Sequence, residues 1–293
     1  MTSFHLPDRA PKWDSLRVAQ NGIGIHSRQS QSGGSLVLIH CVGLDAQMWV
    51  DLLTLLPADL DVHAVDIPGH GSSGKLPPGA SLSSIAKMLA WALAEFNIGP
   101  SVICGISMGG LLAQYLALER ADLVSGLLLG DTSFRRDDSD RRRLLERAAE
   151  VRLNGMSESV PQTIERWFST EYRRSHPDVI EAVQRHLDGV DPESHAQTWE
   201  ALATLDVESR LQNIVVPAAI VVGALDVSTP PAEARTLAEL LMDSTFTEIA
   251  GAGHLSVLEH PETWADIAIQ VLDRAVAHAA ATQHDAQMRA DIV

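Results

Sequence analysis

The chain has 293 residues, 45% of them hydrophobic, and a formal net charge of −16 at pH 7, with an isoelectric point near 5.0. This length can bury one large core, and the acidity excludes nucleic acid and anionic membrane surfaces as partners, because both demand a concentrated basic face. No apolar run approaches the ~20 residues of a membrane span, and residues 1–14 lack the charged-then-apolar layout of a secretory signal, so a cytoplasmic protein is expected.

In chain order, residues 15–19 and 23–27 flank Asn21 and Gly22, which predicts an antiparallel hairpin at a sheet edge. Residues 36–40 and 62–66 are apolar runs of strand length, and 81–97 reads as a helix capped by Ser81. A strand over 101–104 then meets a glycine-bracketed corner, Gly105 to Gly109, that opens a helical run over 111–118. After a strand at 126–129 the strand signal stops. Between Ser133 and Glu200 there are only amphipathic helical patterns, interrupted at Gly155, Pro161, Pro177 and Pro192. This stretch holds 11 arginines and 14 acidic residues. Most are expected on solvated helix faces, with Arg135 or Arg136 turning inward toward an anionic group. Strands at 218–222 and 245–249 follow, with Thr229, Pro230 and Pro231 as the cap and first turn of a helix between them. A helix from Pro261 to about Ala280 closes the chain, and residues 1–11 and about 282–293 are expected to fray. The alternation predicts an α/β protein: a mostly parallel sheet with helices on both faces, its core formed by residues 1–132 and 201–293, and a helical cap insertion at 133–200.

The chemistry-bearing pattern begins at the corner. Gly105, Ser107 and Gly109 place a serine where a strand turns sharply into a helix; glycines two before and two after permit the close backbone approach that such a turn forces. A serine hydroxyl is a weak nucleophile at pH 7 and needs a histidine base, itself oriented by a carboxylate. Asp226 follows the strand at 218–222 and His254 the strand at 245–249, so both emerge at the carboxyl edge of the sheet beside Ser107. Asp131, after the strand at 126–129, is the rival acid. His40 is expected to fix the loop after its strand and His70 to pack a turn. An oxyanion needs two backbone donors, for which the amides of Met108 and Val42 are the candidates. Cys41 and Cys104, each closing a strand, are expected to be reduced core thiols, and no histidine stands where it could activate Cys41.

These features resemble the α/β-hydrolase superfamily over residues 16–276. Within it the likeness is to the 3-oxoadipate enol-lactonase group: a loop after the first parallel strand ending in Met48 and Trp49, a Ser-Met-Gly-Gly elbow at 107–110, Asp226 followed by Thr-Pro-Pro at 229–231, and His-Leu-Ser at 254–256. An Arg-Trp-Phe run at 166–168, followed by His176 and Pro177, extends it into the insertion. His40 and Cys41 depart from the Asn-Ser often found there. The resemblance implies an α/β-hydrolase fold with Ser107, Asp226 and His254 as catalytic triad and Val42 and Met108 as oxyanion hole; Trp167, in the matched Arg-Trp-Phe run, and Arg135, from the arginine enrichment of residues 133–200, are expected on the substrate. It implies opening of a small carboxylate-bearing lactone through an acyl-enzyme on Ser107, in aromatic-compound catabolism, with no metal and no organic cofactor. A general carboxylesterase, a carbon-carbon bond hydrolase or an acyltransferase would use the same triad, and a ligand-binding hydrolase relative is the non-enzymatic alternative.

Overall fold

The computed structural model describes residues 4, 6, 13–30 and 34–290. Its strands are β1 (Ser15–Val18), β2 (Gly24–Arg28), β3 (Gly34–Ile39), β4 (Leu60–Val65), β5 (Ser101–Ile106), β6 (Val124–Gly130), β7 (Ala218–Gly223) and β8 (Ser244–Ile249). They form one sheet in the order β1-β2-β4-β3-β5-β6-β7-β8. The first two strands pair antiparallel, as the hairpin signal predicted, and β2 runs antiparallel to β4. From β4 to β8 every pairing is parallel. This is the α/β-hydrolase fold.

Period-two alternation explains why both faces of the sheet are covered. Val37, Ile39, Ile103, Leu127 and Ile220 enter one apolar cluster with Ile85, Leu89 and Leu112. Their strand neighbours Leu36, Leu38, Val102, Leu128 and Val221 enter a second one with Leu52, Trp264 and Val271. Leu52, Ile85, Leu89 and Leu112 come from α1 (Val50–Leu55), α2 (Leu82–Glu95) and α3 (Met108–Glu119), while Trp264 and Val271 come from the last helix, Pro261–Ala290. Helix α2 begins in a reciprocal hydrogen-bonded cap between Ser81 and Ser84. It ends before Asn97, whose φ of 56° lies in the left-handed region.

Five helices follow one another between β6 and β7: α4 (Asp138–Asn154), α5 (Val160–Trp167), α6 (Thr170–Ser175), α7 (Pro177–Asp188) and α8 (Pro192–Leu202). The breaks read from the sequence are helix boundaries. Gly155 ends α4 at φ 77°, while Pro161, Pro177 and Pro192 sit in first turns, where the missing N–H costs nothing. Beyond β7 come α9 (Pro231–Leu240), α10 (Ser256–Glu259) and α11 (Pro261–Ala290).

Two expectations need correction. Thr229 is not a helix cap: Pro230 holds the N-cap position of α9, and Thr229 turns back toward Asp226. Helix α11 does not stop near Ala280 but continues through Ala290, so the fraying expected from about residue 282 is absent up to that point. The expectation for residues 1–11 falls mostly outside the described residues, although Phe4 and Leu6 are buried.

Candidate active site

The corner after β5 is built by glycines. A Cβ on Gly105 would strike the backbone of Gly109 and Gly110, and one on Gly109 would strike the carbonyls of Ile39 and His40. Helix α3 can therefore start directly against the ends of β5 and β3. Ser107, at the turn, is held at φ 54° and ψ −116°, a conformation that costs an L-residue about 1–3 kcal/mol. Surrounding bonds impose it: the Ser107 amide donates to Gly130 O at 2.9 Å, and the Thr132 hydroxyl donates to Ser107 O at 2.7 Å.

The loops after β7 and β8 bring the two expected partners to this serine. His254 Nε2 lies 3.0 Å from Ser107 Oγ, and Nδ1 lies 2.8 Å from Asp226 Oδ2. Asp226 is fixed in turn by the amides of Ser228 at 2.7 Å and Thr229 at 3.0 Å, and by the Thr229 hydroxyl at 2.6 Å. Burial alone would lower the His254 pKa, but the Asp226 carboxylate and its hydrogen bond, with Asp131 behind, leave it above the ordinary value. Burial would likewise raise Asp226, and the histidine beside it and Thr229 pull it below the usual carboxylate range. With Nδ1–H donating to Asp226, Nε2 is left as the acceptor for the serine proton. Such a relay can activate a hydroxyl for attack on an acyl carbon.

The rival acid does other work. Asp131 accepts from the Gly223 amide at 2.8 Å and from the amide and hydroxyl of Ser256 at 3.1 and 2.6 Å. It thus ties β6 to the end of β7 and to the turn after His254. Burial, then the charge of Asp226, pushes its pKa up.

The loop after β3 is held by the two histidines assigned to loops. His40 Nδ1 donates to Cys41 O at 2.6 Å, and its Nε2 accepts from the Ile67 amide at 2.9 Å. His70 Nε2 accepts from the Gly43 amide at 3.0 Å. Both rings need a bare nitrogen, and burial favours the neutral form, with the His70 pKa down to about 3. Cys41 and Cys104 are free and buried, and burial pushes both thiols up, away from thiolate chemistry.

Above Ser107 and His254 lies a cavity of about 310 Å³, whose walls include Cys41, Val42, Met108, Trp167, Trp199 and Leu144. Val42, Met108 and Trp167 therefore reach it. Arg135 does not: its exposed guanidinium lies 3.9 Å from Glu208. Arg136 is the member of that pair on the cavity wall. Arg143, Arg147 and Arg166 also line it. Their mixture with acidic residues along an amphipathic helix hid them in the sequence, apart from Arg166 in the Arg-Trp-Phe run. Glu259 was missed as well. Its carboxylate accepts from the Gly253 amide at 3.1 Å and from the Ser169 amide and hydroxyl at 2.8 and 2.7 Å, joining the histidine loop to the start of α6.

A sequence profile described as the alpha/beta hydrolase family matches residues 36–267. Among characterised relatives, 3-oxoadipate enol-lactonase 2 of Acinetobacter baylyi is 27% identical over 78% of this chain and 85% of its own length. A pimeloyl-[acyl-carrier protein] methyl ester esterase of Chromobacterium violaceum is 31% identical over 78% of this chain and 91% of its own. Among solved structures, a thermophilic esterase from Thermogutta terrifontis with malate bound superposes with a TM-score of 0.80 at 28% identity, covering 86% of this chain and 94% of the other.

Proposed function

Because this chain belongs to the alpha/beta hydrolase family, we propose that it is a serine hydrolase of small carboxylic esters or lactones, with Ser107 as nucleophile, His254 as base and Asp226 as the acid that orients it. The observation that carries this reading is the unbroken relay through His254, 3.0 Å to Ser107 Oγ on one side and 2.8 Å to Asp226 on the other.

In the proposed reaction Ser107 Oγ attacks the carbonyl carbon as its proton passes to His254 Nε2. Asp226 holds the Nδ1–H and stabilises the imidazolium that forms. The amides of Val42 and Met108 receive the oxyanion. Collapse of the tetrahedral intermediate breaks the carbon–oxygen bond, and the leaving oxygen takes the proton from His254. Water, deprotonated by the same nitrogen, then attacks the acyl carbon; the bond to Ser107 Oγ breaks, His254 returns the proton to that oxygen, and the acid is released.

For the substrate we propose a compact enol-lactone bearing a carboxylate. After ring opening the leaving enol stays tethered to the acyl group and ketonises, so the pocket must hold the whole opened chain. A cavity of about 310 Å³ is at the small end for a ligand site, which favours such a molecule. We treat residues 133–200 as the cap that roofs this pocket. A simple ester is the second reading, supported by the esterase at 31% identity.

The test is kcat/KM for 3-oxoadipate enol-lactone beside that for neutral p-nitrophenyl acetate, with Ser107→Ala as control. A large preference for the lactone, abolished in the variant, is expected. Competent ester cleavage with slow lactone turnover would keep the triad and discard the lactone. Full activity in Ser107→Ala would discard both.

A further inference from the structure

The cavity wall carries four arginines, Arg136, Arg143, Arg147 and Arg166, and they are not equivalent. Arg143 pairs with Asp140. Arg136 lies in the field of Glu233 and Asp140, which offset part of the cost of its burial. Arg147, on α4, and Arg166, on α5, make no ion pair among the described residues.

Arg147 is desolvated and faces the positive charges of Arg166 and Arg143, with Glu150 as the smaller compensation; its pKa falls to about 10. Its guanidinium rests 5.2 Å from the Trp199 ring centre, a contact that gives its N–H donors no oxygen acceptor. Arg166 is desolvated with no charged group to offset the burial. Its Nε is hidden from solvent without an acceptor, and a terminal nitrogen reaches only Thr163 Oγ1, at 3.4 Å. Arg166 also lies within electrostatic range of His254, so this charge overlooks the reacting centre.

Two cations brought together on the wall of a cavity, partly stripped of water and short of acceptors, are unfavourable unless an anion joins them. A guanidinium fork matches a carboxylate in shape and charge. We infer that Arg147 and Arg166 together seat a carboxylate carried by the substrate, so that the site selects esters or lactones with a second, anionic group. This rests on the hydrolase reading above for the chemistry, but the seat itself is a binding property. The carboxylate would bridge α4 and α5 across the cavity, while the reacting carbonyl lies at Ser107.

Two measurements test it. The first is the ratio of kcat/KM for mono-p-nitrophenyl glutarate to that for neutral p-nitrophenyl butyrate, in wild type, Arg147→Gln, Arg166→Gln, Arg166→Lys and Arg135→Gln. The wild-type ratio is expected to exceed about tenfold, and each glutamine variant to lower it about tenfold or more through KM. Arg166→Lys, which keeps the charge but loses the fork, should fall between. Arg135→Gln should leave the ratio where it was. The second is calorimetric binding of glutarate to folded Ser107→Ala, with and without Arg166→Gln or Arg147→Gln, where either substitution should weaken binding about tenfold. If both esters are cleaved but neither the ratio nor glutarate binding depends on these arginines, the seat is overturned and the hydrolase stands. Equal sensitivity of Arg135→Gln would also overturn it, by reducing the effect to general surface charge. If neither ester is cleaved but glutarate binds through Arg147 and Arg166, the seat stands and the catalytic reading fails.

Discussion

At the scale of single residues, the site is a set of hydrogen bonds that assign different work to chemically similar groups. Asp131 and Asp226 both follow strands and both are buried, yet only Asp226 reaches His254, at 2.8 Å. Asp226→Asn should therefore lower kcat by roughly 10⁴-fold, by favouring the wrong histidine tautomer. Asp131→Asn should instead lower stability by about 1–3 kcal/mol, because an amide nitrogen cannot accept from Ser256, and should cost kcat far less. Steady-state kinetics and urea denaturation of the two variants separate these outcomes; equal losses of kcat would contradict the assignment. Ser107→Ala should abolish turnover while moving the melting temperature by no more than about 3 °C, since no partner of the hydroxyl is structural. The pH dependence has a definite sign. The base works only when neutral, and the net effect of its surroundings raises the His254 pKa. The acidic limb of kcat/KM for a neutral ester should thus have its midpoint above about 6.5. A midpoint below that value would mean that burial outweighs Asp226.

Elements explain why these residues meet. Strands were legible because β3, β5 and β7 are short, aliphatic and buried on both faces, so their composition reports their position. The corner at Ser107 was legible for a related reason: Gly105 and Gly109 sit where any side chain would strike backbone. Gly109→Ala should accordingly be destabilising by about 1–3 kcal/mol and should impair turnover, because the carbonyls of Ile39 and His40 cannot move without displacing the loop that carries Val42. Gly155→Ala, whose Cβ would meet nothing within 4 Å, bears only the strain of its positive φ and gives the contrast in a thermal melt. Similar losses of stability in both would remove the steric argument. Helix caps were less legible. Thr229 has the composition of a cap residue, yet a buried carboxylate with unmet acceptors lies nearer than the helix end and takes its amide and hydroxyl.

For the whole molecule, the relevant fact is that the two apolar clusters do not stop at the sheet. One contains Leu144 and Leu202 from α4 and α8, and the other Ile164, Trp167, Val183 and Leu187 from α5 and α7. The histidine loop is also tied to α5 and the start of α6, through Glu259 and through the Leu255 amide, which donates to Trp167 O at 2.9 Å. The residues proposed as a cap therefore share their core with the sheet. Heat or urea should unfold the protein in one cooperative transition, with calorimetric and van't Hoff enthalpies equal. Two resolved transitions would show that residues 133–200 are an independent unit.

Local pattern by itself determined the strand order along the chain, the helical character of residues 133–200, and the placement of Ser107, Asp131, Asp226 and His254 at strand ends. Periodicity, glycine spacing and turn chemistry are properties of neighbouring residues, and a sequence displays them directly. Only the tertiary structure decided which groups meet through space. Ser107 and His254 are 147 positions apart, and Asp131 and Ser256 are 125 apart; the choice between Asp226 and Asp131 depends on those contacts. The same holds for the arginines. Eleven lie between Ser133 and Glu200, only Arg166 belongs to a recognisable run, and what distinguishes Arg147 and Arg166 is that folding half-buries both on one cavity wall with no ion pair to either among the described residues.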